Sequence, residues 1–147
     1  MNGRFLYLSS IVVALVGFVD SIYLTWVKLA QRPVFCGAYG GCDTVNSSPY
    51  AVIGGIPIAI LGAGAYLTIL MLLYLEKRDS FWRDNGPLMI FGISLAGVLY
   101  SAYLTYIEIA VLRAICPYCV LSAIAILLLL IFAILRLVRG QVETNPI

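Results

Sequence analysis

The 147-residue sequence contains no histidine, and charged side chains make up only 11% of it. A soluble domain carries about a quarter charged residues, so the composition excludes an ordinary soluble domain. Nine basic and seven acidic residues leave a net charge of +2, and the basic residues form no stripe along the chain. The charge pattern therefore gives no indication of a nucleic-acid partner.

Cysteine is also scarce, with four residues, and none of them lies within a long apolar run. The sequence has no pair of haem ligands, no flavin fingerprint and no cysteine spacing of the iron–sulfur type. If the chain transfers electrons, it therefore needs an acceptor that binds without such a motif.

Apolar residues make up 63% of the chain and are concentrated in four runs of about 20 residues. At a rise of ~1.5 Å per residue, a helix of that length crosses a ~30 Å hydrocarbon layer. The first run is too long for a signal peptide, and no small-residue cleavage pattern follows it. We therefore predict an all-α membrane protein, a four-transmembrane-helix bundle forming a single integral membrane domain over residues 1–147. Its helices are expected at about residues 5–27, 56–75, 88–109 and 117–138.

The connections between these runs differ in length. Residues 28–55 are expected to form a long extracytoplasmic loop, in which residues 43–51 make a short amphipathic half-helix at the membrane surface. The Gly-Gly-Ile-Pro sequence that ends at Pro57 fits the start of the second helix, since proline is tolerated in a first turn. Residues 76–87 are predicted as a short charged loop, and the third connection, around Arg113, is predicted to be tight.

Basic residues are distributed unequally between the two sides of the predicted bundle. Counted over short loops, the side with more lysine and arginine faces the cytoplasm, which places both termini there and all four cysteines at the extracytoplasmic face, where disulfides persist. The basic residues on the predicted cytoplasmic side are Arg4, Lys77, Arg78, Arg83, Arg136 and Arg139, and those on the other side are Lys28, Arg32 and Arg113.

Small and acidic residues within the first run predict close helix packing. Gly17, Ser21 and Thr25 recur every four residues, and small residues at that spacing allow helix backbones to approach closely in lipid. Asp20 lies within the same run, where a carboxylate costs roughly 2.5–3.5 kcal/mol. We expect it to face the bundle interior, either as a proton donor to a reduced electron acceptor in the membrane or, preferably, in a hydrogen bond to Tyr100 or a hydroxyl of the third span.

The cysteines form two pairs, Cys36 with Cys42 and Cys116 with Cys119. They are compatible with buried apolar side chains, with a four-cysteine zinc site or with a disulfide relay. The first alternative does not explain the proline between Cys116 and Cys119, and the five-residue gap between Cys36 and Cys42 is outside the usual zinc-ligand spacing. The relay is favoured, because a Cys-x-x-Cys pair on the opening turn of a helix has a lowered thiol pKa. A glycine-rich loop can bring a second pair into exchange with it.

The ordered set of motifs resembles the vitamin K epoxide reductase family. This set comprises two loop cysteines, Ser48 six residues after the second, Gly-Ile-Pro and then a tyrosine in the second span, and Cys-x-x-Cys opening the fourth. The spacing of the loop cysteines is similar to that of microbial members, and the resemblance covers essentially the whole chain. It implies a four-helix bundle around a quinone. It also implies an extracytoplasmic loop and half-helix that cap the pocket.

The resemblance also implies roles for individual residues. Cys36 would exchange with a partner thiol, Cys42 would pass electrons to Cys116, and Cys119 would deliver them to the quinone. Ser48 and Tyr50 would line the quinone pocket together with Cys119, and no metal is implied.

Two positions depart from the pattern of the vertebrate enzymes. Those enzymes place an asparagine and a tyrosine against the oxygens of vitamin K, where this sequence has Ile58 and Ala123. We therefore predict a quinone-dependent thiol oxidoreductase that generates disulfides outside the cytoplasm. Its electrons are expected to come from a separate thioredoxin-like protein, since the sequence ends before a fused thioredoxin-like domain could follow. The alternatives are reduction of vitamin K or its epoxide, and a non-catalytic membrane protein with structural disulfides.

Overall fold

The computed structural model describes the backbone of residues 3–32 and 48–144 and the side chains of residues 3–32 and 48–140. Cys36 and Cys42 and most of the predicted half-helix therefore lie outside the described residues. The main elements are four long helices: α1 (Gly3–Leu29), α2 (Ile58–Arg78), α3 (Ser80–Ile107) and α4 (Pro117–Thr144). Each is long and apolar enough to cross a membrane, which confirms the predicted fold class.

The four helices pack in a ring, in which α1 and α3 each contact both α2 and α4. Two glycines make room for side chains of the neighbouring helices. A β-carbon added to Gly17 of α1 would lie 2.4 Å from the ring of Tyr66 on α2. A β-carbon added to Gly97 of α3 would lie 2.7 Å from Ile126 on α4. Gly17 therefore makes room for the Tyr66 ring of the neighbouring helix, whereas close approach of the helix backbones stays a prediction.

The predicted charged loop at residues 76–87 is wrong, because nearly all of it is helical. Asp79 alone separates α2 from α3, and its backbone N–H still donates to the carbonyl oxygen of Leu75 at 3.1 Å. Pro87 lies inside α3. The charged residues of this segment indicate that it leaves the apolar layer, but they do not end the helix, because lysine and arginine are good helix formers.

The second helix begins at Ile58, two residues later than predicted, because a small hairpin precedes it. A 3₁₀ turn (Pro49–Ala51) leads into β1 (Val52–Ile53), which pairs antiparallel with β2 (Ile56–Pro57). The two residues between the strands, Gly54 and Gly55, have φ angles of 57° and 86°. A two-residue hairpin loop of type I′ requires positive φ at both positions, which glycine adopts without steric cost.

The end of the bundle near Asp79 contains a buried ion pair between α2 and α4. The carboxylate of Glu76 is 4% exposed and accepts hydrogen bonds from both terminal nitrogens of Arg136. The ring of Tyr7 on α1 lies beside this pair, with the Arg136 guanidinium 5.8 Å from its centre, and the Tyr7 hydroxyl donates to the carbonyl oxygen of Leu73 at 2.6 Å. These contacts connect three of the four helices.

Candidate functional site

The Cys-x-x-Cys pair lies at the N-terminus of α4. Cys116 immediately precedes Pro117, whose fixed φ suits a first helical residue, and its carbonyl oxygen accepts the N–H of Val120 at 3.0 Å. Cys116 is completely buried and packs against Leu24 and Val27 of α1. Both Cys116 and Cys119 are free thiols in this structure.

The environment of Cys116 favours its thiolate. A hydrogen bond with the Cys119 side chain is the main cause of a lowered Cys116 pKa, and the backbone N–H groups of Cys119 and Tyr118 act in the same direction. Burial and the nearby Glu108 carboxylate oppose this effect. Since the net shift is downward, Cys116 is the more nucleophilic member of the pair at neutral pH.

We expect the thiolate titration of Cys116 to lie below the value of a free cysteine, ~8.5, and to move upward in a Cys119→Ala variant. The thiolate is present above its pKa, so loss of the Cys119 hydrogen bond should reduce the thiolate fraction near neutral pH. Thiolate absorbance measured against pH, in a background with Cys36 and Cys42 changed to serine, checks this. An unchanged midpoint in Cys119→Ala would show that Cys119 does not set the acidity of Cys116.

A cavity of about 320 Å³ lies beside the cysteine pair and is lined by residues of all four helices. Most of its lining residues are apolar, with several hydroxyl groups and the single carboxyl of Glu108 among them, which is the usual composition of a small-molecule site. Tyr66 fixes one wall, because its hydroxyl donates to the carbonyl oxygen of Ser122 at 2.8 Å and lies 3.0 Å from the Ser122 hydroxyl. The cavity is therefore shaped for an apolar molecule with few polar groups.

The structure brings the predicted pocket residues together on this cavity. Ser48 and Tyr50, from the 3₁₀ turn, line it, and so does Cys119. Ile58 and Ala123, which replace the polar residues of the vertebrate pattern, also line it. Of the two cysteines that the structure describes, Cys119 alone lies on the cavity wall.

Glu108 is a site residue that the sequence analysis missed. It begins a π-helical turn (Glu108–Leu112) that continues α3, is 4% exposed and lines the cavity. Its Oε2 atom accepts the backbone N–H of Cys116 at 3.3 Å, and its carboxylate lies close enough to the Cys119 side chain to interact with it. A carboxylate within a long apolar run is the signal that marks this position in the sequence.

Asp20 is buried, as predicted, with 6% of its surface exposed. The preferred interhelical hydrogen bond to Tyr100 or to a hydroxyl of α3 is wrong, since neither carboxylate oxygen of Asp20 has a hydrogen-bond partner among the residues that the structure describes. The carboxylate is close enough to Cys119, Tyr66 and Tyr118 to act on them electrostatically.

Comparison with known proteins agrees with the geometry of the site. Residues 8–134 match the sequence model of the vitamin K epoxide reductase family. The chain is also 36% identical over 111 residues to the thiol-disulfide oxidoreductase LTO1 of Arabidopsis thaliana, an alignment that covers 71% of this chain and 30% of that protein. The chain thus spans about 30% of the length of this curated relative. The match over most of its length and its four apolar helices identify it as a multi-pass membrane protein that belongs to the vitamin K epoxide reductase family.

Proposed function

We propose that this protein is a thiol oxidoreductase that forms disulfides and passes the electrons to a membrane quinone. One observation carries the proposal: Cys119, half of a Cys-x-x-Cys pair, lines an apolar cavity of about 320 Å³. The similarity to a thiol-disulfide oxidoreductase supports the thiol chemistry. The apolar lining supports a lipid-soluble electron acceptor.

In the proposed reaction a partner dithiol first reduces the disulfide between Cys36 and Cys42. Cys42 then attacks the disulfide between Cys116 and Cys119, which leaves that second pair as a dithiol. Reoxidation of the pair releases two electrons, and the quinone takes up these electrons and two protons to become a hydroquinone. Burial of Cys116 and the position of Cys119 on the cavity wall support Cys119 as the residue next to the acceptor.

The lining of the cavity favours an ordinary quinone over vitamin K epoxide. Ile58 and Ala123 offer no hydrogen bond where the vertebrate pattern has an asparagine and a tyrosine. The described polar groups on the wall are instead hydroxyls and one carboxyl, which include those of Ser48, Tyr50 and Glu108. We therefore propose quinone reduction without epoxide chemistry.

The same proposal includes a separate thioredoxin-like partner and a fixed orientation in the membrane. The helix ends near Asp79 have Lys77 and Arg78 in the last turn of α2 and Arg83 at the start of α3. The greater number of basic residues at this end supports a cytoplasmic location for it. The cysteine pair at the other end of α4 would then face the extracytoplasmic side, where partner disulfides persist.

Quinone reduction by the purified protein in detergent, with dithiothreitol as electron source, tests the proposal. We expect the wild-type protein to reduce short-chain ubiquinone or menadione, followed by quinone absorbance. Ala123→Phe should lower the rate at limiting quinone at least about tenfold, equivalent to about 1.4 kcal/mol, because the ring occupies the cavity. Ala102→Phe, at an exposed position of α3 outside the cavity lining, is the matched control. Failure of the wild-type protein to reduce any quinone would end the proposal.

A further inference from the structure

The inference concerns Glu108, which is placed against the reactive sulfur by an irregular turn. The π-helical turn ends at Arg113, which has a φ of 52° and donates its backbone N–H to the carbonyl oxygen of Glu108. The N–H of Ala114 donates to the same oxygen at 3.0 Å. The chain therefore reverses directly beside Glu108 and brings the start of α4 back against its side chain.

The partners of the Glu108 carboxylate are unusual for a buried acid. A buried charge is normally paired with a cation. The Glu76 carboxylate, at the other end of the bundle, is paired in this way with Arg136. Glu108 instead accepts the N–H of Cys116 and lies near the side chain of Cys119. Because it also lines the cavity, its carboxylate lies between a redox-active thiol and the space assigned to the acceptor.

The reduced pair of Cys116 and Cys119 still carries one thiol proton, which must be removed before a disulfide can form. Cys119 hydrogen-bonds to the Cys116 sulfur, an arrangement in which Cys116 is the thiolate and Cys119 keeps its proton. Cys119 must lose this proton before its sulfur can form the disulfide. The Glu108 carboxylate is positioned to accept this proton, because it accepts the N–H of Cys116 and lines the same cavity as Cys119.

We propose that Glu108 is a catalytic base that takes the Cys119 proton as the Cys116–Cys119 disulfide forms, an inference that rests on the proposed function for its physiological acceptor. The S–H bond of Cys119 breaks and the S–S bond forms, so the pair loses two electrons. The quinone takes both electrons, the proton held by Glu108 and a second proton from solvent. That second proton replaces the one released earlier by Cys116, and the reaction is balanced.

Other titratable groups surround this end of the cavity and must be considered in any pH profile. Tyr50, Tyr66 and Tyr100 line the cavity from the 3₁₀ turn, α2 and α3 respectively. Asp20 on α1 acts electrostatically on Cys119. Arg113, next to the π-helical turn, is exposed. The Glu108 variant should therefore be compared with the wild-type protein over the whole pH range rather than at one pH.

Glu108→Gln separates the catalytic role from a structural one. The glutamine oxygen can still accept the Cys116 N–H, but the amide cannot take a proton. We expect quinone reduction with dithiothreitol and menadione to slow by about 10²–10⁴-fold, the usual contribution of a positioned acid or base. The quinone KM should change little, and the pH–rate profile should lose the contribution of the Glu108 carboxylate, keeping only the rise that follows ionisation of Cys116. Glu108→Asp should restore part of the rate together with the lost contribution.

A second measurement reads the same proton transfer without a quinone. In a background with Cys36 and Cys42 changed to serine, the soluble oxidant diamide adds to the Cys116 thiolate, and Cys119 then displaces it to close the disulfide. Closure should slow in Glu108→Gln, measured by quenching with an alkylating reagent that adds mass only to free thiols. Asp84→Asn, an exposed carboxylate near the start of the same helix, should close at the wild-type rate.

The two measurements distinguish the failure of each proposal. If Glu108→Gln closes the disulfide at the wild-type rate and with the wild-type pH profile, Glu108 is not the base. A change in Glu108→Gln that affects only the quinone KM would also overturn the inference. So would a loss of rate that Glu108→Asp does not relieve at any pH. If the wild-type protein reduces no quinone but Glu108→Gln still slows closure by diamide, the base assignment stands and the quinone proposal fails.

Discussion

Replacing Cys119 with serine is expected to abolish quinone reduction while leaving the bundle folded. A serine hydroxyl cannot form the disulfide that releases two electrons, so no electron pair can leave Cys116. The substitution changes one atom at a half-buried position on the cavity wall. Its thermal midpoint should therefore shift by no more than about 4 °C, which corresponds to about 1 kcal/mol for a chain of this size. Quinone absorbance and thermal unfolding in detergent measure the two effects.

The same variant also tests the proposed order of electron transfer. With Cys119 absent, the Cys116 thiolate can still attack the Cys36–Cys42 disulfide, which forms a mixed disulfide with Cys42 and releases Cys36 as a thiolate. Because no Cys119 thiol is present to displace Cys42, a fraction of the protein should remain cross-linked in this way. Non-reducing proteolysis and mass spectrometry would identify the cross-linked peptides. The double variant with Cys42 also changed to serine should lack them. Normal quinone reduction by Cys119→Ser would contradict the assignment of Cys119 as the residue that serves the acceptor.

Replacing Arg136 with methionine is expected to produce the largest loss of stability. It leaves the buried Glu76 carboxylate without its cation, and breaking a buried ion pair in this way costs about 3–5 kcal/mol. The thermal unfolding midpoint in detergent should fall sharply. Arg139→Met removes an exposed cation three residues further along α4 and should change the free energy of unfolding by less than about 0.5 kcal/mol.

A double substitution separates the cost of the orphaned charge from the value of the pair itself. Changing both Glu76 and Arg136 to methionine removes both charges, and apolar replacements of buried ion pairs are often neutral or stabilising. We therefore expect the double variant to recover most of the stability lost in Arg136→Met. If Arg136→Met unfolds at the wild-type temperature, the ion pair does not hold α2 to α4.

The number and type of helices follow from the sequence because run length and hydrophobicity are local properties. Helix ends are less well marked, since the charged residues near Asp79 are equally compatible with a helix that leaves the apolar layer. The hairpin has a local sequence signal, since two glycines between Val52–Ile53 and Ile56 are typical of a two-residue turn.

Some residues of the candidate site could be predicted from the sequence, and others could not. Motif order placed Ser48, Tyr50 and Cys119 together, and the structure brings them onto one cavity. Glu108 carried a sequence signal, a carboxylate in an apolar run, but its contact with Cys119 depends on the π-helical turn and the αL conformation of Arg113. Neither feature has a strong local signature. The burial of Asp20 followed from its place in a span, whereas its lack of a partner depends on how the helices pack.

The single non-helical residue between α2 and α3 has a mechanical consequence. Asp79 is the whole connection between Arg78 and Ser80. The two helices can therefore move relative to each other mainly by tilting about that residue. α2 has 21 residues, a length of about 31 Å at ~1.5 Å per residue, so a tilt of roughly 5° displaces its opposite end by roughly 3 Å. That end begins at Ile58, on the wall of the cavity. A small tilt of α2 about Asp79, at one membrane face, therefore widens the cavity beside the cysteine pair near the other face.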